Sequence, residues 1–121
     1  VRSGEGLLVG GFVVQGPAYK RMLVRAVGPA LGAFGVEGVL ADPVLRIYSG
    51  EKTVAVVDDW SAVPESAVTE AATKALGAFP LTAGGKDAAI FITLPPGAYT
   101  VEVGGKNGTE GIALLEIYEV P

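Results

Sequence analysis

Glycine and proline divide this chain into short apolar runs, and that division limits it to folds built from short strands. The 121 residues include 18 glycines and 8 prolines, placed without a fixed period between the runs. At such places these two residue types mark turns. Residues 20–50 show the pattern most clearly: the run Lys20–Val27 ends at Gly28-Pro29, and another run begins at Pro43. Proline is tolerated as the first residue of a strand, so both runs are predicted strands.

The spacing of the runs predicts a single domain over residues 1–121, all-β, with about seven strands. We expect an antiparallel β-sandwich, jelly-roll-like, with one short helix inserted near residues 64–76. That helix begins at a proline and ends before a glycine. Its predicted buried stripe consists of Val68, Ala71, Ala72, Ala75 and Leu76. Pro95-Pro96-Gly97 and Asn107-Gly108 predict hairpin turns between the last three strands.

Composition excludes several classes of function. The chain contains no cysteine and no histidine, which excludes disulfides, the usual zinc sites and histidine-based catalysis. The net charge is −4, and of the nine lysines and arginines only Lys20 and Arg21 are adjacent. Without a clustered basic surface we expect no nucleic-acid partner. No run approaches the ~20 apolar residues of a membrane helix, so we expect no membrane insertion. We also expect no cofactor.

Aspartates provide one candidate metal site. Asp58 and Asp59, together with Asp42 or Asp87, offer oxygen ligands of the kind that calcium prefers. No DxDxDG-type spacing is present. The favoured alternative is that the aspartate pair turns the chain while Trp60 plugs the end of the sandwich.

Two charged residues stand in apolar strands. Arg25 is either paired and half-buried or extended to solvent at a sheet edge, and we favour the second interpretation. Glu116 lies between Leu115 and Ile117, and we expect it on the solvent face. A glycosidase needs two facing carboxylates. The spacing of the glutamates selects no such pair, so we expect no enzyme.

Aromatic residues provide the candidates for a ligand platform. Aromatic faces can stack against sugars. The candidates are Trp60, Tyr48, Tyr99 and Tyr118.

The run over residues 7–14 is apolar on both faces, and two interpretations stay open. It is either a central strand of the chain's own sandwich or a donated strand that completes the sheet of a neighbouring copy. The residues of this candidate assembly strand are Leu7, Leu8, Val9, Phe12, Val13 and Val14. Gly10-Gly11 within it predicts a bulge or a close backbone approach.

Six motifs along the chain resemble those of a known module. They are GGF at residues 10–12, KRMLVRAVGPAL at 20–31, LADPVL at 40–45, DDW at 58–60, LPPGAYT at 94–100 and ALLEIY at 113–118. In this order they resemble a repeat or accessory β-module of exported proteins of Verrucomicrobia and related bacteria. LPPGAYT also shows a weaker likeness to the closing hairpin of bacterial pre-peptidase C-terminal modules. The resemblance implies an extracellular or cell-surface location and no particular activity.

The family module usually carries a Ser-, Thr- and Arg-rich stretch before the equivalent of Val1. This chain lacks it, so we expect its first strand to be missing or supplied from outside. The start at Val1 fits a processed mature protein or an excised repeat.

We therefore expect a non-catalytic structural or assembly module, a self-associating fibre or stalk subunit joined by strand complementation, with other copies of itself as the partner. The alternative is a carbohydrate- or surface-binding module with glycans as partners.

Overall fold

A computed structural model describes residues 8–62, 66–81, 85–108 and 110–120. Within these ranges the chain forms seven strands in two sheets and one short α-helix, which confirms the predicted antiparallel sandwich. The strands are β1 Leu8–Val14, β2 Lys20–Val27, β3 Pro43–Ser49, β4 Lys52–Val57, β5 Ala88–Leu94, β6 Gly97–Gly105 and β7 Leu114–Val120. The helix α1 is Ser66–Ala75, and short 3₁₀ segments lie at Pro29–Phe34, Trp60–Ala62 and Lys106–Gly108.

One sheet has the strand order β1-β6-β3-β4 and the other the order β5-β2-β7. All the pairings of these strands are antiparallel. Among the described strands, β3 and β4 are the one consecutive pair that shares a sheet, and each other link crosses the sandwich. Prediction of hairpins after β5 and β6 was therefore wrong. Pro-Pro-Gly and Asn-Gly do mark turns, but a turn does not specify the sheet in which the following strand pairs.

The core lies between the two sheets and follows the two-residue period of each strand. In β2, Met22, Val24 and Ala26 face inward, and they meet Leu45 and Ile47 of β3. The remaining buried members of this core are Val14, Leu40, Val57, Ala88, Leu94, Tyr99, Val101 and Val103.

The outer face of the β5-β2-β7 sheet is covered as well. Leu23, Arg25 and Val27, which alternate with the core residues of β2, are each 0% exposed. Helix α1 packs against β5 and β2, and Phe79, in the segment after the helix, lies over Arg25. Strand β2 is therefore buried on both faces. The helix and the segment after it form a third layer over this sheet, which the alternation within the strands did not indicate.

Helix α1 buries a different face from the predicted one. Thr69, Ala72 and Thr73 are buried, whereas Val68 is 48% exposed. Of the predicted stripe, Ala71 and Ala75 are also exposed, while Ala72 is buried. The Thr73 hydroxyl donates to the Thr69 carbonyl oxygen (2.9 Å), so its polar group is satisfied within the helix and its methyl group can be buried. The predicted first turn at residues 64 and 65 lies outside the described residues.

Candidate functional site

Strand β1 lies at the edge of the four-stranded sheet and pairs with β6 of its own chain. It is therefore an edge strand of its own sandwich and not a central one. Leu8 and Phe12 are half-buried against the core, and Val14 is buried. On the opposite face Val9 is 58% and Val13 62% exposed. Of the candidate assembly residues, Leu7 lies outside the described part of the chain.

Gly10 of β1 allows close packing, and the strand contains no bulge. The β1–β6 register is continuous from Leu8 opposite Val103 to Val14 opposite Gly97. A Cβ atom on Gly10 would lie 3.0 Å from Cδ2 of Leu115 in the other sheet. Such a distance is too short for a side chain unless Leu115 moves, so the predicted close approach is confirmed and the bulge is not.

Phe12 fixes β1 in this register from the same inner face. Its ring stacks on the ring of Tyr99, with the centroids 5.3 Å apart and the planes 22° from parallel. The Tyr99 hydroxyl donates to the Pro95 carbonyl oxygen (2.6 Å), which holds the ring in place. Stacked aromatic pairs contribute about 0.5–1.5 kcal/mol beyond their buried area. The contact surface that holds β1, which we call the seat of β1, is thus formed by β6 and β7. Every copy of the chain presents the same surface.

The ligand platform is not assembled. Trp60 and Tyr99 are buried, at 4% and 6% exposure, so neither ring is available for stacking on a sugar. Tyr118 belongs to the other sheet and donates a hydrogen bond to Oε2 of Glu116 (2.7 Å). Tyr48 is half-buried and borders an open groove, together with Gly50, Glu51, Thr100 and Glu102.

Arg25 and Glu116 form a buried ion pair, so the solvent-facing interpretations of both residues were wrong. Arg25 is 0% exposed, and the Glu116 side chain is 17% exposed. Arg25 Nε lies 3.1 Å from Glu116 Oε1, and its Cζ lies 4.4 Å from the centroid of the Phe79 ring. The two residues are direct partners in the β2–β7 register. They face away from the core, as their positions predicted, but that face is covered.

Tyr118 completes this buried polar group. Its hydrogen bond to Glu116, together with burial, raises the pKa of the phenol above its ordinary value. The terminal nitrogens of Arg25 have no hydrogen-bond partner among the described residues. The ion pair and the Phe79 ring are therefore the main compensation for the buried charge.

Three aspartates converge, partly as predicted. Asp42, Asp58 and Asp59 each place a carboxylate oxygen within 4.8 Å of the others. Asp87 is not among them, because its Oδ1 accepts hydrogen bonds from the amides of Gly28 (2.8 Å) and Ala30 (3.1 Å). Asp87 therefore stabilises the corner that starts the 3₁₀ segment Pro29–Phe34.

Two lysines, which the sequence did not indicate, lie on this aspartate cluster. Lys106 Nζ is 2.6 Å from Oδ2 of Asp58, and Lys86 Nζ is 3.7 Å from Oδ2 of Asp42. Burial and a hydrogen bond with Asp58 raise the pKa of Asp42. Burial also acts to raise the pKa of Asp58, but hydrogen bonds from Asp42 and Lys106 outweigh it and lower that pKa. Oxygen ligands of this kind suit calcium, but the lysine ammonium groups already supply positive charge there.

Comparison with known proteins gives no relative: no family model, no curated protein and no solved structure matches the chain. Within the described residues no helix has the length and apolar character needed to cross a membrane. The fold itself defines the class, an antiparallel β-sandwich with a helical cover on one sheet.

Proposed function

We propose that this chain is a non-catalytic structural module of a bacterial extracellular or cell-surface protein, and that copies of it associate by strand complementation through β1. The observation that carries the proposal is the position of β1. It is an uncharged strand at a sheet edge, and among the described strands it pairs with β6 alone. The bacterial and extracellular setting rests on the family resemblance of the sequence motifs.

The seat of β1 supports an exchange between copies. The stack of Phe12 on Tyr99 and the fit of Gly10 against Leu115 depend on residues of β6 and β7. A β1 strand from a neighbouring copy brings the same Gly10 and Phe12, so it would make the same contacts. When each copy donates β1 to the next, the head-to-tail contact does not close and a fibre results.

The non-catalytic part of the proposal is supported by how the carboxylates are engaged. Glu116 is bound to Arg25 and Tyr118, and Asp58 is bound to Lys106. Both carboxylates are therefore engaged in contacts that stabilise the fold.

Disulfide capture tests the exchange directly, because the chain contains no cysteine. Val9 lies opposite Glu102 in the β1–β6 register, and opposed residues of antiparallel strands have Cα atoms about 4.5–5.5 Å apart, within disulfide reach. Oxidation of the double variant Val9→Cys/Glu102→Cys is expected to give a ladder of covalent multimers.

The matched control is Arg46→Cys/Glu102→Cys, since Arg46 of β3 is opposite Glu102 on its other side. That pair does not involve β1, so its disulfide is expected to stay within one chain. If Val9→Cys/Glu102→Cys also gives only intramolecular disulfides, even after refolding at high protein concentration, exchange of β1 is wrong.

Glycan binding is a second candidate, now restricted to the groove beside Tyr48. Its one aromatic side chain, two carboxylates and a hydroxyl (Tyr48, Glu51, Glu102 and Thr100) are groups that hydrogen-bond and stack with sugars. A glycan panel titrated against the native chain, Tyr48→Ala and Tyr19→Ala tests it. Tyr19 is 66% exposed and outside this groove, so it is the control. Absence of binding, or equal binding by all three proteins, excludes this role for Tyr48.

A further inference from the structure

The free edge of β1 carries neither the register shift of the β4 edge nor the charges of the β7 edge in the described structure. Strand β4 begins at Lys52, and its pairing with β3 contains a register shift at Ile47/Tyr48. Strand β7 carries Glu116 and Glu119, and helix α1 packs against β5 on the outer face of that sheet. Charges, bulges and covering helices are the devices that prevent edge-to-edge pairing. Strand β1 has seven residues, an unbroken register, no charge and no proline.

We propose that this free edge pairs with the free edge of β1 in a second copy, antiparallel, about a twofold axis through Gly11. This inference rests on the proposed self-association but not on strand exchange, which uses the opposite edge of β1. It joins two four-stranded sheets into one continuous sheet. The twofold axis is perpendicular to the sheet, so the outer faces of both copies lie on the same side of the joined sheet. Outer residues of β1 therefore pair only with outer residues, and inner residues only with inner ones.

The sequence LVGGFVV is complementary to itself in this register on the outer face. Val9 of one copy lies opposite Val13 of the other, and the reverse pair repeats on the far side of the axis. These valines are the exposed large apolar residues of β1, at 58% and 62%. The pairing places an exposed valine of one copy against an exposed valine of the other, so both are covered by apolar side chains.

The inner face is complementary for a different reason. Gly10 of one copy lies opposite Phe12 of the other, and Leu8 lies opposite Val14. Gly10 has no side chain because Leu115 occupies that space. An aromatic ring opposite a glycine covers the bare backbone and compensates for the missing side chain. Phe12 is half-buried in its own copy and has exposed surface left to contribute.

The β4 edge of a second copy is a poorer occupant. Its register shift distorts the ladder that an added strand would need to follow, and Lys52 at its start has no acidic partner on β1. A β1–β1 pair is closed by its own twofold axis, whereas a β1–β4 pair would continue as an open chain.

Single-cysteine variants test the register. In the symmetric pair Gly11 lies opposite Gly11, so the oxidised variant Gly11→Cys is expected to form a disulfide-linked dimer. Gly11 is exposed, and a Cβ there would lie 3.4 Å from the nearest atom, the carbonyl oxygen of Tyr99. In Val13→Cys the two cysteines would lie about 14 Å apart, outside disulfide reach, so that variant is expected to remain monomeric on a reducing-agent-free gel.

A mixture of Val9→Cys and Val13→Cys provides an independent readout, because the register places these two positions opposite each other. The mixture is expected to give a heterodimer, while each variant alone gives none. This arm decides the question even if Gly11→Cys does not fold. A Val13→Cys homodimer, or no heterodimer in the mixture, overturns the register. Cross-linking of Val9→Cys to Val56→Cys, on the β4 edge, overturns the choice of occupant.

Non-covalent dimerisation is measured with Val13→Lys and its control Val56→Lys. Val56 is a valine of the other edge strand of the same sheet, 54% exposed. We expect Val13→Lys to weaken the dimer at least about tenfold, because it places an ammonium group against Val9 of the other copy and removes water from it, while Val56→Lys leaves the dimer unchanged. Equal effects refute the pairing. A Gly11→Cys dimer without a Val9→Cys/Glu102→Cys ladder supports edge pairing and refutes strand exchange. A Val9→Cys/Glu102→Cys ladder without a Gly11→Cys dimer supports strand exchange and refutes edge pairing.

Discussion

Removing the charge of Glu116 is expected to destabilise the fold strongly. The substitution Glu116→Gln keeps the size of the side chain but leaves the guanidinium of Arg25, which is 0% exposed, without its counter-charge. At 3.1 Å and an effective dielectric constant of about 20, the Coulomb attraction between the pair is about 5 kcal/mol. Loss of one partner of a buried ion pair typically costs about 3–5 kcal/mol. For a domain of this size that lowers Tm by roughly 10–20 °C.

Three variants compared by urea denaturation give the assay. Arg25→Met is expected to cost less than Glu116→Gln, because the Glu116 left behind is 17% exposed and reaches water. The double variant Arg25→Met/Glu116→Gln is expected to recover much of the loss, since no buried charge remains.

The exposed pair Lys20–Glu119 is the matched control. Its atoms are 3.3 Å apart, a similar distance, but its side chains are 38% and 57% exposed. Glu119→Gln is therefore expected to cost at most about 1 kcal/mol. If Glu116→Gln costs no more than Glu119→Gln, the buried pair does not stabilise the fold more than an exposed pair does.

Three further predictions concern the aspartate cluster, the buried phenol and the Gly28 corner. In Lys106→Met the aspartates lose the ammonium group that lies 2.6 Å from Asp58; we expect CaCl₂ to raise the Tm of this variant more than that of the native chain, and an equal rise in both would contradict the role of Lys106. The pKa of Tyr118 is raised above 10.0 in the folded chain, so its contribution to stability is full below pH 10 and is lost as pH rises through the folded pKa. In urea titrations, Tyr118→Phe is therefore expected to lose less stability than the native chain between pH 9 and pH 11. Identical pH profiles would show that the hydrogen bond to Glu116 contributes nothing. A Cβ on Gly28 would overlap the carbonyl oxygen of Leu40, so Gly28→Ala is expected to cost about 3 kcal/mol, while Gly32→Ala, with nothing within 4 Å of its Cβ, changes stability by about 0.5 kcal/mol or less; similar melting curves for the two would refute the close packing of the corner.

The sandwich could be predicted because its signals are local. Alternating apolar residues and glycine or proline turns identify each strand without knowledge of its neighbours. Strand pairing could not be predicted in the same way. Pro95-Pro96-Gly97 shows where β5 ends, but β5 pairs with β2 across a large sequence separation, and no local pattern records that choice.

The buried ion pair was missed for the same reason. Arg25 and Glu116 each appear as an isolated charge in an apolar strand, and the β2–β7 register that brings them together is a long-range property. Burial of Tyr99, by contrast, had a local signal. Tyr99 shares a strand face with Val101 and Val103, and all three are buried in the core.

The aspartate cluster was found in part. Adjacency of Asp58 and Asp59 is visible in the sequence, but the ammonium groups of Lys86 and Lys106 arrive from other segments. Their positions depend on how the loops fold, and neither lysine belongs to a recognisable motif.

Association of copies of this chain through β1 is measured as the mass of the native protein in solution. Sedimentation over a wide concentration range is expected to show assemblies whose mass rises with concentration, with elongated particles in electron micrographs of the same samples. A single monomeric species at all concentrations, before and after refolding at high concentration, would show that β1 does not join copies of this chain.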